Sequence, residues 1–154
     1  MAESFIRQAI DLALANVDRD GGPFGALVVR DGIVIATGAN QVTRTNDPTA
    51  HAEVVAIREA CRVLGSFQLL GCDLYSSCEP CPMCLGAIYW ARPSRVYYAA
   101  THDDAAAAGF DDSFIYKQIA VPHAQRTIPM IQMVDPLSTR PFQQWVSRAD
   151  KSAY

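Results

Sequence analysis

The sequence predicts an α/β layered domain, a mixed sheet with helices packed on it. Three observations point there. Apolar residues recur at helical spacing in separate segments, short apolar runs of strand length stand between them, and turn residues fall at the joins. At 154 residues the chain is long enough to bury a substantial core as one domain. Residues 2–18 place Phe5, Ile6, Ala9, Ile10, Ala13, Leu14 and Val17 on one helical face, and Asp20-Gly21-Gly22-Pro23 stops that helix. Residues 24–29 and 33–37 read as strands joined by the tight turn Asp31-Gly32. A second helix, 50–64, turns Val54, Val55, Ile57, Ala60, Cys61 and Leu64 inward and ends at Gly65 as its C-cap. Residues 72–77 form a strand that delivers the chain to a helix starting around Cys81 and running to about Trp90. Pro80 suits its start, where a missing N–H costs nothing. Residues 95–100 are a short apolar strand of the kind buried in parallel sheets.

Beyond this the chain changes character. Residues 111–117 read as a short helix. Pro122, Pro129, Pro136 and Pro141, four of the nine prolines, then fall within twenty residues, which forbids helix and predicts an extended arm. A terminal amphipathic helix, 141–151, carries Phe142, Trp145 and Val146. Its apolar face suits a neighbouring subunit or its own domain equally well by pattern.

Composition excludes several classes. Thirteen Lys and Arg against sixteen Asp and Glu give a net charge of −3, which argues against a dedicated nucleic-acid binder. No stretch approaches the ~20 apolar residues that span a bilayer, and no signal-peptide pattern opens the chain, so no membrane partner is expected. Five cysteines make an odd count, two of them at metal-type spacing, so a disulfide framework is not expected and a reducing cytoplasm is the natural location.

The chemistry concentrates in His51-Ala52-Glu53 and Pro80-Cys81-Pro82-Met83-Cys84. One imidazole and two thiols make the inventory of an open zinc site, with three protein ligands and a fourth position left over. His51, Cys81 and Cys84 are the expected ligands, and Glu53 is the spare carboxylate for moving protons. Cys81 and Cys84 stand three apart, so on a helix they share a face. A helix N-terminus also favours thiolate over thiol. His51 and Glu53 diverge by roughly 200° on a regular helix, so both reach one metal only if His51 sits at the helix lip and Glu53 in its first turn. Asp47-Pro48-Thr49 reads as the turn leading into such a start. Cys78 is a weaker candidate ligand and reads better as a strand end; Cys61 and Cys72 read as core thiols.

His-x-Glu followed by Pro-Cys-x-x-Cys is the signature of the zinc deaminases, and the chain resembles the cytidine-deaminase-fold superfamily. The likeness covers nearly the whole length: Gly22-Pro23-Phe24-Gly25-Ala26, the run from Asn46 to Glu53, the run from Ser77 to Pro93, and the run from Ala108 to Tyr116. Gly109-Phe110-Asp111-Asp112-Ser113-Phe114 and the terminal Tyr154 are similar to the guanine-deaminase branch. The resemblance implies a three-layer α/β/α fold with a mixed sheet of about five strands, one Zn²⁺ per subunit, and a purine base as the small-molecule partner. The implied reaction is hydrolysis of guanine to xanthine and ammonia by zinc-activated water, with Glu53 moving the protons. It also implies roles that residue type alone leaves open. Asn40 reads by itself as a turn residue; the likeness makes it the amide that holds the base's oxo edge. Phe24 and Trp90 are core aromatics or walls of the base pocket. Asp112 is the N-cap of the helix after it, or a second carboxylate at the 2-amino group. Tyr154 is a frayed end, or a lid over the pocket of a partner. In that branch residues 120–154 are exchanged between subunits, so a single domain spanning 1–154 and a swapped homodimer are expected. The rival readings are a tRNA adenosine deaminase, a cytosine or cytidine deaminase, and a structural zinc module that only mediates interactions.

Overall fold

The computed structural model describes residues 2–154. The chain divides into two compact units, the first running to Asp112 and the second covering Ser113–Tyr154.

In the first unit, helix α1 (Ala2–Val17) leads into β1 (Gly25–Arg30) and β2 (Ile33–Ala39). A short helix, α2 (Val42–Thr45), precedes α3 (Ala52–Leu64), β3 (Cys72–Cys78), α4 (Pro82–Ala91), β4 (Arg95–Ala100) and α5 (His102–Ala107). The strands form one sheet in the order β2-β1-β3-β4. β1 pairs antiparallel with β2 and β3, while β3 and β4 run parallel, so the sheet is mixed. Side-chain alternation along β1 sorts the core. Leu27 and Val29 join Ala9 of α1 and Tyr75 on one face; Ala26 and Val28 join Ala52, Ala56 and Ala60 of α3, with Ile88 of α4, on the other. Helices thus cover both faces, which makes the three layers.

Glycine sets how close two of these layers come. A Cβ on Gly25 would run into the Ala9 carbonyl of α1, and one on Gly38 would run into the Ala52 carbonyl at the start of α3. The second contact matters for function, because it seats the first turn of α3 directly on β2.

Several expectations are corrected. Among the described residues the sheet has four strands, against the expected five or so. The proline-rich stretch, expected to be extended, contributes no strand to the sheet. β4 is parallel as expected but lies at the sheet edge, and Arg95, Tyr98 and Ala99 are exposed. Leu14 and Val17, read as inward, are 61 % and 48 % exposed. They line an apolar cavity of about 460 Å³ together with Ile10, Phe24 and Phe110. Two short helices had no clear signal: α2, and α5, which opens with a capping box between Thr101 and Asp104.

The second unit contains α6 (Ser113–Ala120), a 3₁₀ turn at His123–Gln125, and α7 (Arg140–Ser147). α7 stops four residues short of the expected Lys151; Lys151 instead donates through Nζ to the carbonyls of Val146 and Arg148. No residue of α6 or α7 is buried.

Candidate active site

Two helix starts build the site. His51 is the N-cap of α3, with φ −68° and ψ 156°, so its imidazole leaves an extended residue while Glu53 follows inside the first turn. That departure from helical geometry is what brings side chains two apart to one point. Cys81 is the N-cap of α4, also extended at φ −66° and ψ 169°, and Pro82 holds the first helical position that sequence reading gave to Pro80. The Cys81 sulfur accepts the Cys84 N–H at 3.5 Å, the usual work of an N-cap side chain.

His51 Nδ1 lies 3.5 Å from Cys81 Sγ and 3.5 Å from Cys84 Sγ. The donor atoms of this trio all lie within 4.8 Å of one another, and it is a group of its kind found among the described residues. An imidazole nitrogen at ~2.1 Å and a thiolate at ~2.3 Å from one tetrahedral zinc stand ~3.6 Å apart. The spacing and the N,S,S donor set therefore fit zinc, with room for a fourth, non-protein ligand.

Glu53 is 6 % exposed. Ser76 Oγ donates to its Oε1 at 3.3 Å, and Cys84 Sγ donates to its Oε2 at 3.4 Å. Burial raises its pKa above the ordinary carboxylate value, so it is predisposed to hold a proton. The Cys84 hydrogen bond, followed by the bond to His51, draws the Cys81 thiol down to about 4. Cys84 moves the other way, because it shares the site with the Cys81 thiolate and is itself desolvated. His51 is raised chiefly by its bond to Cys81. Cys78 stays outside the trio; its sulfur faces the Thr101 carbonyl at 3.5 Å, and burial pushes it up to about 11.

The remaining expected residues are placed as follows. Asn40 is buried at the end of β2, and its Oδ1 accepts the Val42 N–H at 3.2 Å. Phe24 is half-buried and meets Phe110 edge-on, with ring centroids 5.0 Å apart. Asp112 has a raised pKa, first from desolvation and then from the charge of Cys81. Trp90 sits in the last turn of α4 and is 61 % exposed. Tyr154 ends the second unit and is 71 % exposed.

Sequence reading missed three groups. Ser76 holds Glu53; the adjacent Ser76 and Ser77 near the end of the strand were the available signal. Glu79 accepts the backbone N–H of His102 at 3.1 Å and pairs with its Nδ1 at 3.0 Å, tying the loop before Cys81 to α5. No spacing announces that pair. Asn16 is buried on α1 in line with Ala9 and Ala13, a polar residue on the core stripe.

Comparison with known proteins gives a consistent picture. The family model for the cytidine and deoxycytidylate deaminase zinc-binding region matches residues 1–100. The chain is 60 % identical to the guanine deaminase of Bacillus subtilis, covering 99 % of this chain and 98 % of that protein. The X-ray structure of the Bacillus subtilis guanine deaminase superposes with a TM-score of 0.97 at the same identity and coverage. The tRNA-specific adenosine deaminase of Agrobacterium fabrum is 48 % identical, covering 62 % of this chain and 63 % of that one. The crystal structure of NE0047 in complex with 2,6-diaminopurine is 38 % identical, with a TM-score of 0.71, covering 73 % of this chain and 63 % of that chain.

Proposed function

The chain belongs to the cytidine and deoxycytidylate deaminase zinc-binding family, and on that footing we propose that it hydrolyses guanine to xanthine and ammonia. One observation carries the choice of substrate: the match to a guanine deaminase runs through both units, over 99 % of the chain, whereas the match to the tRNA deaminase covers 62 %. His51, Cys81 and Cys84 hold one Zn²⁺. When bound, zinc acts as a Lewis acid that lowers the pKa of water towards neutrality. Glu53 accepts a proton from the attacking water and passes it to ring N3 as the new C–O bond forms at C2. It then takes the remaining proton of the new C2 hydroxyl and delivers it to the 2-amino group, so that the C–N bond breaks, ammonia leaves and the C2 oxygen becomes the carbonyl of xanthine. Its buried, proton-retaining environment supports this role, and Ser76 keeps its orientation.

Asn40 meets the oxo edge of the base, Phe24 and Trp90 pack on its rings, and Asp112 engages the 2-amino group. The raised pKa of Asp112 lets it share a proton there. Residues 120–154 form an arm exchanged in a homodimer, and Tyr154 closes the partner's pocket. Ile128, Ile131, Met133 and Val134 are 78–88 % exposed, more apolar surface than a short arm sustains in water without a partner. All five cysteines are free, which favours a reducing cytoplasm, and no helix of the described residues is long and apolar enough to cross a membrane.

The test is ammonia release from guanine, adenine, cytosine and a tRNA anticodon stem-loop by the zinc-loaded protein. Turnover of guanine above all others is expected. Turnover of the stem-loop with guanine inert would overturn the assignment.

A further inference from the structure

Asn40 is held at three points, one on its side-chain amide and two on its backbone. Its side-chain Oδ1 accepts the Val42 N–H at 3.2 Å. Its backbone N–H donates to the Phe24 carbonyl at 3.1 Å. Its backbone carbonyl accepts a hydrogen from Asn16 Nδ2 at 2.9 Å. Asn16 reaches in from α1 and donates its other Nδ2 hydrogen to the Gly22 carbonyl at 2.8 Å. This side chain is 4 % exposed, and a buried primary amide is stable only when its hydrogens are bonded. Both go to backbone carbonyls, one in the turn before Phe24 and one at the end of β2. Glycines leave the space for this. A Cβ on Gly21 would fall on the Asn16 side chain, and one on Gly22 would stand 3.0 Å from Asn40 Cγ.

The lock fixes more than position. A backbone N–H can only donate, so the Asn40 atom facing Val42 has to be the oxygen. The amide's NH₂ therefore has one direction. Guanine offers a 6-oxo acceptor beside an N1–H donor, which an amide in one orientation pairs on both atoms. A 6-amino purine offers the reverse order and is paired only by the flipped amide. Flipping sets the NH₂ against the Val42 N–H, donor against donor, in a buried place.

We propose that the Val42 N–H fixes the orientation of the Asn40 side-chain amide, that Asn16 holds in register the backbone this arrangement stands on, and that the resulting lock selects 6-oxo over 6-amino purines. Asn16 is a positioning residue: it touches the two segments that carry Asn40 and Phe24. The proposal rests on the reading that Asn40 meets the oxo edge of the base, and the experiment separates the two.

Dissociation constants of guanine and 2,6-diaminopurine, which differ in the group at position 6 and in whether N1 carries a hydrogen, are measured by calorimetry on the zinc-loaded Glu53→Gln protein, where turnover is slowed. The quantity read is the preference for guanine. Asn16→Leu, close in size and without donors, is expected to reduce that preference about tenfold. Gly21→Ala, which displaces the Asn16 side chain while leaving Asn16 in place, gives the same loss and stands in if Asn16→Leu does not fold. Ile6→Ala, on the same helix but partly buried against the Ala9, Leu27, Val29 and Tyr75 cluster, lowers Tm and leaves the preference intact. Asn40→Ala abolishes the preference. If Asn40→Ala abolishes it while Asn16→Leu and Gly21→Ala keep it within twofold, the lock is wrong and the reading of Asn40 stands. A loss in Ile6→Ala equal to that in Asn16→Leu also refutes the lock. If Asn40→Ala keeps the preference, the reading of Asn40 falls and the lock falls with it.

Discussion

Replacing Glu53 by Gln isolates the proton-transfer step. The two side chains have the same shape, so packing around this 6 %-exposed position is preserved. The retained Oε1 still accepts from Ser76 Oγ, 3.3 Å away. The new NH₂ faces Cys84 Sγ, 3.4 Å away, and a zinc-bound thiolate accepts it. The metal trio should therefore stay intact while the group that moves protons is gone. General acid–base catalysis is worth ~10²–10⁴, and in the proposed reaction one carboxyl serves two transfers, to ring N3 and to the departing amine. A loss of ~10³–10⁴ in kcat is expected, equivalent to ~4–5.5 kcal/mol of barrier. The assay pairs ammonia release from guanine with zinc content by atomic absorption. A fully zinc-loaded Glu53→Gln protein within tenfold of wild type would refute the argument. A second readout concerns stability. A carboxyl whose folded pKa is raised holds a proton that the unfolded chain gives up, so its contribution worsens as pH rises through the ordinary carboxylate range and above. In chelator-stripped protein at pH 7, Glu53→Gln is therefore expected to melt no lower than wild type.

Three further outcomes are expected. In chelator-stripped protein, iodoacetamide should alkylate Cys81 first. Its thiol is drawn down to about 4, so it is thiolate at every pH above that value, whereas Cys78, pushed up to about 11, stays unreactive at pH 7; mass spectrometry across pH 3–8 checks the order. Gly38→Ala should destabilise the fold by ~1–3 kcal/mol in urea titrations and lower zinc affinity, because the new Cβ pushes on the Ala52 carbonyl beneath His51 and Glu53; a wild-type midpoint would contradict the close seating of α3. Deleting the last residues through Tyr154 should cut turnover while zinc content and the mass by light scattering stay unchanged, and an equally active truncated enzyme counts against the proposed lid.

The metal chemistry was legible in the sequence because it is local. Cys81 and Cys84 are neighbours in the chain, and the proline and turn residues beside both motifs announce helix starts, where N-cap geometry is set by a few dihedral angles. The long elements were legible for the same reason, since periodicity in α1, α3, β1 and β3 reports which face is buried. What the chain alone does not carry is which distant groups meet. Leu14 and Val17 fit the helical stripe of α1 and yet line an open cavity, because how much of a stripe is covered depends on where the sheet ends. The edge position of β4 follows from strand order, which no run of apolar residues encodes. Asn16 to Asn40, Ser76 to Glu53 and Glu79 to His102 join residues 23 or 24 apart. Such pairs form only when elements distant in the chain come together. Residue type at short range decided the identity of the reactive groups here; tertiary packing decided their orientation, because a hydrogen bond between separate layers exists only once those layers are in contact.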